Sequence, residues 1–214
     1  MHSNQVKLYH ITPVDSLQSI FRYEALFAES SLQKLNLESG SVIGMQKLKI
    51  RRSNKPVRCH VNLNIGDCVP FYYCPRSIML YMIAKANHPE LHNAVRQQQI
   101  VHLEFELDVV AKWALTNNKR WAITRTNATA AYTIFYKNME ALELINWSAV
   151  NANLWTDPTI KEGKMAEFLL EGHAPSGIVS RIGVMNSETQ TTVRKILVNH
   201  NVQIPVEVLP EWYY

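Results

Sequence analysis

The run Ile100-Val101-His102-Leu103-Glu104-Phe105-Glu106-Leu107 constrains the fold more than any other part of the chain. Apolar residues fall at 101, 103, 105 and 107, and polar ones at 102, 104 and 106. A period of two puts each set on its own face of a strand. Such a chain must build a sheet, and the alternation predicts one face in the core and one in water. Shorter runs at 7–11, 69–73, 121–124, 165–170, 177–184 and 206–209 also read as strands.

Helical signals lie between them. In Thr12-Pro13-Val14-Asp15, Thr12 reads as a cap, Pro13 as the first helical residue and Asp15 as a capping-box acid. Leu17, Ile20, Phe21 and Leu26 follow at mostly helical spacing. Pro75-Arg76-Ser77 turns into a helix carrying Met79, Leu80, Met82 and Ile83, and 142–154 and 191–198 are helical in character. Residues 29–55 hold Ser39-Gly40-Ser41 and a basic cluster, Lys47, Lys49, Arg51 and Arg52, and read as a loop with one short helix. Strands and helices do not alternate regularly, which gives an α+β class with a largely antiparallel or mixed sheet. The 214 residues show no linker or repeat and are expected to form one domain.

Several functions fall away. Neither GxGxxG nor GxxxxGK[ST] occurs, which disfavours a dinucleotide fold of the doubly wound type and a P-loop. No apolar run approaches the ~20 residues that span a bilayer, and Met1 to Lys7 has no apolar signal region. Cys59, Cys68 and Cys74 form no CxxC, so no disulfide framework or metal site is expected and the chain reads as cytoplasmic. The net charge of +4 permits a phosphate-bearing partner without demanding one.

Few residues stand out chemically. His10 lies between Tyr9 and Ile11 at the end of the first strand, and reads equally as a core histidine or a ligand hydrogen-bond donor. Arg51-Arg52 is either a solvated pair or a guanidinium fork for phosphate. Glu167 sits in Met165-Ala166-Glu167-Phe168-Leu169-Leu170, where alternation places it on one face with Met165 and Leu169. Acids are seldom buried without a partner, so either a cation pairs with Glu167 or its face opens into a pocket. Phe71-Tyr72-Tyr73 and Trp212-Tyr213-Tyr214 suit core packing or base stacking. These residues alone support an α+β domain that binds a phosphorylated ligand, and no particular reaction.

Taken in order, Tyr9-His10-Ile11-Thr12, Arg51-Arg52, Val69 to Ser77 with Met79-Leu80-Tyr81, Ile100 to Leu103, Asn127-Ala128, Asn146-Trp147, Lys164 to Leu169 and Trp212-Tyr213-Tyr214 resemble the DarT family. Those are bacterial toxins that use NAD to ADP-ribosylate bases of single-stranded DNA. The resemblance runs from Tyr9 to Tyr214. It implies a single ADP-ribosyltransferase domain over 1–214, with a mixed or antiparallel β core, a split NAD cleft and flanking helices. It implies Glu167 and Arg52 as the catalytic pair, and His10, Thr12 and Tyr72 as NAD-binding residues. Arg76, Met79 and Asn127 would face DNA, and residues 29–49 would cover the cofactor. NAD would be consumed, with no metal. Single-stranded DNA and a macrodomain-type antitoxin would be the partners, with no membrane role.

Where the family usually carries Gln two residues before the glutamate, this chain has Met165, and Thr124-Arg125 replaces a Thr-Asp pair. The resemblance favours thymine as the modified base. The alternatives are guanine, an RNA or protein target, and a non-enzymatic nucleic-acid-binding module. Lys47, Lys49, Arg51, Arg76, Arg120 and Arg125 are candidates for a phosphate-binding rim.

Overall fold

A computed structural model describes residues 6–41, 46–85 and 95–214. The first half of the chain runs through β1 (Lys7–Pro13), α1 (Leu17–Arg22), β2 (Ala25–Phe27), α2 (Glu29–Lys34), α3 (Gln46–Ser53), β3 (Cys68–Tyr72), α4 (Ile78–Lys85) and β4 (Ile100–Glu106). Then come α5 (Leu107–Thr116), β5 (Trp121–Thr124), β6 (Phe135–Tyr136), α6 (Trp147–Asn151), α7 (Pro158–Gly163), β7 (Glu167–Glu171), β8 (His173–Pro175), β9 (Arg181–Val184), α8 (Ser187–Asn199) and β10 (Val206–Val208).

Eight strands form one sheet in the order β10-β9-β4-β1-β3-β7-β5-β6, and β2 pairs with β8 in a second. Every pairing is antiparallel except β9 with β10. The sheet is weakest at its centre. β1 is zipped to β4 from Lys7↔Glu106 to Pro13↔Ile100, but meets β3 in register only at Tyr9↔Tyr72. Beyond that pair β1 and β3 part, and the gap is the split expected of the cleft. Phe71, Phe105 and Phe168 pack across this centre, fully buried, with ring centroids 5.1 and 6.3 Å from Phe71.

Caps fix several helix starts. Asp157 accepts from the amides of Thr159 (2.8 Å) and Ile160 (3.2 Å), with Pro158 at the first helical position of α7. Asn186 caps α8 through the Thr189 amide, and Asn146 caps α6 through the Ala149 amide. That second cap divides the expected helix at 142–154. Residues 139–144 form a 3-10 turn, α6 spans 147–151, and 152–157 is a loop.

Other expectations are corrected. The helix expected from Pro13 starts one residue later: β4 pairs with β1 through Pro13, so Thr12 and Pro13 stay extended, and Val14–Ser16 form a 3-10 turn that runs directly into α1. Asp15 accepts instead from the amide and hydroxyl of Ser41, and Leu26 belongs to β2. Residues 29–55 hold two short helices, α2 and α3, and Arg51 and Arg52 lie in the last turn of α3. The strand expected at 165–170 begins at Glu167, and the one at 177–184 begins at Arg181 after a 3-10 turn. β7 is covered on both faces, so alternation does not sort its side chains.

The largest correction concerns β4. His102 is fully buried and Glu104 is 3% exposed, although both were expected in water. The segment Trp212-Tyr213-Tyr214 covers that face. The Trp212 and Tyr213 rings meet His102 edge-on at 5.4 and 4.9 Å, and the Tyr213 hydroxyl donates to the carbonyl of Ile100. Gly183 permits this packing, because a Cβ there would stand 2.4 Å from the Trp212 ring. Beneath the cover Glu104 accepts from Arg181 at 2.8 Å, which gives the buried acid a cationic partner.

Candidate active site

A cavity of about 360 Å³ opens at the sheet's split. His10 and Thr12 of β1, Tyr72 of β3, Arg52 of α3 and Met79 of α4 line it. These five residues are spread from position 10 to position 79, and the parting of β1 from β3 brings them to one wall. Glu29, Ser41 and Lys49 lie along the opposite side, so the expected cover over 29–49 does border the cleft, with residues 42–45 outside the described residues. Glu29 and Lys49 tie α2 to α3 at 2.8 Å.

His10 spans the gap between the strands. Its Nδ1 lies 2.8 Å from the carbonyl of Pro70. A carbonyl only accepts, so Nδ1 carries the proton and Nε2 is left as an acceptor. Burial lowers the His10 pKa, the Pro70 contact opposes that, and the Arg52 charge lowers it further. With its pKa lowered and the proton on Nδ1, the neutral imidazole leaves Nε2 as an acceptor.

Glu167 begins β7 and pairs with Tyr72, which pairs with Tyr9, so the acid lies in the one row that joins the two halves of the sheet. Its side chain is 4% exposed, and three hydrogen bonds from two groups hold the carboxylate. Arg52 donates from Nη2 to Oε2 at 2.9 Å and from Nη1 to Oε1 at 3.3 Å, and the Ala128 amide donates to Oε1 at 3.1 Å. Of the two readings of Glu167 the structure shows the first, a paired cation; Arg52 lines the cavity, and Glu167 stands behind it rather than in the lining. Burial alone would lower the Arg52 pKa, but the Glu167 charge and hydrogen bond outweigh it and raise it. Burial, then the Glu167 charge, also raises the Tyr72 pKa, so its phenol stays protonated.

The loop that supplies the Ala128 amide is built by Asn127. The Asn127 Oδ1 accepts from the amide and hydroxyl of Thr129, both at 2.8 Å, and Nδ2 faces the Met165 sulfur at 3.6 Å. Both ends of this amide are engaged, so Asn127 acts on Glu167 through its neighbour. Met165, in place of the family's usual Gln, is the soft acceptor for that amide. Thr124 completes the support, its hydroxyl accepting from the Glu167 amide at 3.1 Å.

Arg76 stands beside the cleft and not in its lining. Its guanidinium lies 4.4 Å over the Tyr214 ring. The cations expected to form a rim are partly engaged. Arg120 makes a bidentate pair with Glu171, Lys49 pairs with Glu29, and Arg51 donates to the carbonyl of Thr129 at 2.7 Å. Lys55 and Arg58, which were not singled out, extend the patch. Burial, then the neighbouring charges of Arg51 and Arg58, lower the Lys55 pKa, and Lys55 donates to the carbonyl of Ala130 beside the Ala128 loop. Among the aromatics, Phe71 and Tyr73 are core residues. Among the described residues no group of three metal-ligating side chains occurs, and Cys59, Cys68 and Cys74 are free thiols.

The DarT family model, described as ssDNA thymidine ADP-ribosyltransferase, matches residues 9–214. A Thermus aquaticus protein named DNA ADP-ribosyl transferase is 30% identical over 211 residues, covering 97% of this chain and 88% of that one. The structure of Thermus sp. 2.9 DarT in complex with ADP-ribosylated ssDNA superposes with a TM-score of 0.84 at 27% identity, covering 98% of this chain and 96% of that one. The same protein in complex with NAD+ gives 0.77 at 26% identity, covering 98% of each chain. The chain belongs to the DarT family of single-stranded DNA thymidine ADP-ribosyltransferases.

Proposed function

We propose that Glu167 and Arg52 carry the transfer of ADP-ribose from NAD to a thymine of single-stranded DNA. The observation that supports these roles is the buried Glu167 carboxylate, clasped by the Ala128 amide and by Arg52, which itself lines the cleft. NAD lies along the cleft between β1 and the α2–α3 segment, with His10 Nε2 accepting from the ligand and Thr12, Tyr72 and Met79 shaping the wall.

When the bond between the ribose C1′ and nicotinamide breaks, its electron pair leaves with the base. Positive charge then builds on the sugar. A fixed carboxylate in a water-poor site stabilises that charge. A ring nitrogen of thymine forms the new bond to C1′, and its proton passes to water or to Glu167. Arg52 is too basic to take that proton. It stabilises the negative charge that develops on the base and orients Glu167. The base must come from a single strand, because its reacting edge is paired within a duplex.

A single sheet with strands from residue 7 to residue 208 supports one domain over 1–214. Among the described residues no helix is long and apolar enough to cross a membrane. We place the enzyme in the cytoplasm as the toxin of a pair, with a macrodomain-type antitoxin that removes the ADP-ribose.

The test is the intact mass of short oligonucleotides that differ in one base, incubated with the enzyme and NAD. One added ADP-ribose on the thymine strand, absent with Glu167→Ala and reversed by a macrodomain hydrolase, supports the reading. Addition only to a guanine strand corrects the base. Modification of RNA or protein in place of DNA overturns the target.

A further inference from the structure

Two residues of the cleft wall, Tyr72 of β3 and Met79 of α4, are joined by one turn, Cys74-Pro75-Arg76-Ser77. The distance between their side chains depends on how that turn is held. Ser77 is fully buried and caps α4, its Oγ accepting from the Leu80 amide at 3.2 Å.

Three successive carbonyls of the turn accept from side chains remote in sequence. His102 donates from Nε2 to Pro75 at 3.0 Å. The Tyr214 hydroxyl donates to Arg76 at 2.8 Å and lies 3.3 Å from the carbonyl of Ser77. Tyr214 is itself held by Gln97, whose Oε1 accepts from its amide at 3.1 Å and whose Nε2 donates to its backbone oxygen. His102 is fully buried with Nδ1 unpaired, so among the described residues its one hydrogen bond goes to the turn. An apolar side chain would fill that space without the cost of a buried, unpaired ring nitrogen. The bond to Pro75 is what the imidazole adds. Met79 packs into the same cluster as Trp212, Tyr213 and Tyr214, and so does Ile11, which stands between the cleft residues His10 and Thr12.

We propose that Tyr214 and His102 are positioning residues for the cofactor. By holding the three carbonyls they fix Met79 relative to Tyr72, and so set the shape of the cleft on its α4 side. Neither residue lines the cavity, so each acts through the backbone of the turn. The inference rests on NAD occupying the cleft, as proposed above.

The experiment starts from Tyr214→Phe, which keeps the ring under Arg76 and removes only the hydroxyl. The KM for NAD should rise about 3- to 10-fold, the size of one neutral hydrogen bond, while kcat falls by less. A purely structural role predicts the opposite split: fewer folded molecules lower the apparent kcat and leave KM unmoved. Calorimetric titration with NAD in the absence of DNA should show the same loss of affinity. Amide exchange at Leu80 and Tyr81, which bond to Ser77, should quicken. Gln97→Leu loosens Tyr214 without touching the turn and should also raise the KM for NAD. Both changes act through one hydroxyl, so the double variant should cost little more than Tyr214→Phe alone. His102→Leu should raise the KM for NAD, and His102→Gln, which keeps a donor, should retain most of the affinity. Where His102→Leu does not fold, Tyr214→Phe and Gln97→Leu, at part-exposed sites, decide the matter.

Unchanged NAD affinity in Tyr214→Phe, unchanged exchange at both amides, or full additivity with Gln97→Leu overturns the positioning role. NAD affinity that depends on the Tyr214 hydroxyl, with no modification of DNA by the native enzyme, leaves that role standing and overturns the reaction reading. A native protein that binds no NAD overturns the cofactor reading and the inference with it.

Discussion

At the residue scale the proposed reacting centre is one ion pair, and its geometry makes arginine and lysine unequal. Arg52 reaches both oxygens of Glu167 with two nitrogens, which a single ammonium does not reproduce. Arg52→Lys keeps the charge and loses the fork, and should lower kcat for base transfer by about 100-fold or more, the size of losing one preorganised donor. Near-full activity in that variant would show that only charge matters. A second prediction concerns His102, which is fully buried and donates from Nε2 to the carbonyl of Pro75 at 3.0 Å. Burial lowers its pKa to about 4, with the Pro75 contact opposing. The unfolded chain takes up a proton near pH 6.5 and the folded one does not until about pH 4. Stability from this group is therefore intact above pH 6.5 and lost as pH falls towards 4, by about 3 kcal/mol. Denaturant unfolding from pH 7 to 4 should show that slope, and His102→Gln, which keeps a donor, should flatten it by the same amount. An equal slope in both proteins would remove His102 as the cause. The sequence could not foresee this residue's burial, because the rings that bury it come from a segment more than a hundred positions away.

At the element scale, the strands were legible and their surroundings were not. The alternation in β4 located the strand, but not the Trp212-Tyr213-Tyr214 cover that turns both its faces into interior. Thr12, Pro13 and Asp15 mark a helix start, and pairing of β1 with β4 through Pro13 only delays it by one residue, to Val14. The helix α5 follows β4 without a break, and no capping side chain marks its start. His10, Thr12, Tyr72, Arg52 and Glu167 were named as site residues from family likeness. Their meeting depends on a gap between β1 and β3 that no spacing encodes. The loop over the cleft depends on one further contact that sequence does not show. Gly40 packs against the first turn after β1, where a Cβ would stand 2.5 Å from the backbone nitrogen of Ser16. Beside it, Asp15 holds Ser41 through two hydrogen bonds to the amide, at 3.1 Å, and one to the hydroxyl. Gly40→Ala must push this loop off its seat. It should raise the KM for NAD by about tenfold, equivalent to ~1.4 kcal/mol, with the DNA KM little changed. An unchanged NAD KM would mean that the loop does not shape the cofactor site.

For the whole molecule the open question is how a chain with a net charge of only +4 holds a polyanion. Summed charge is a poor guide, because several cations are already spent. Arg120, Lys49 and Arg181 pair with Glu171, Glu29 and Glu104. The positive field that remains lies on one side of the Glu167 loop, around Arg51, Lys55 and Arg58, with Arg125 exposed nearby in sequence. Three or four phosphates are as many as that patch can neutralise. For a single strand, each contact contributes about −0.7 to the slope of log affinity against log salt, so the slope should be about −2 to −3. Arg58→Gln removes one exposed cation outside the Arg52–Glu167 pair and should reduce the slope by about 0.7 while leaving the KM for NAD unchanged. Measured across 50 to 300 mM salt, roughly the range over which such slopes are resolved, a slope near zero would mean that stacking and the cleft alone hold the strand. A much steeper slope would require phosphate contacts well beyond this patch. The predicted middle value follows from geometry: a short strand is drawn in by a few phosphates on one side of the active site, and is placed by its bases.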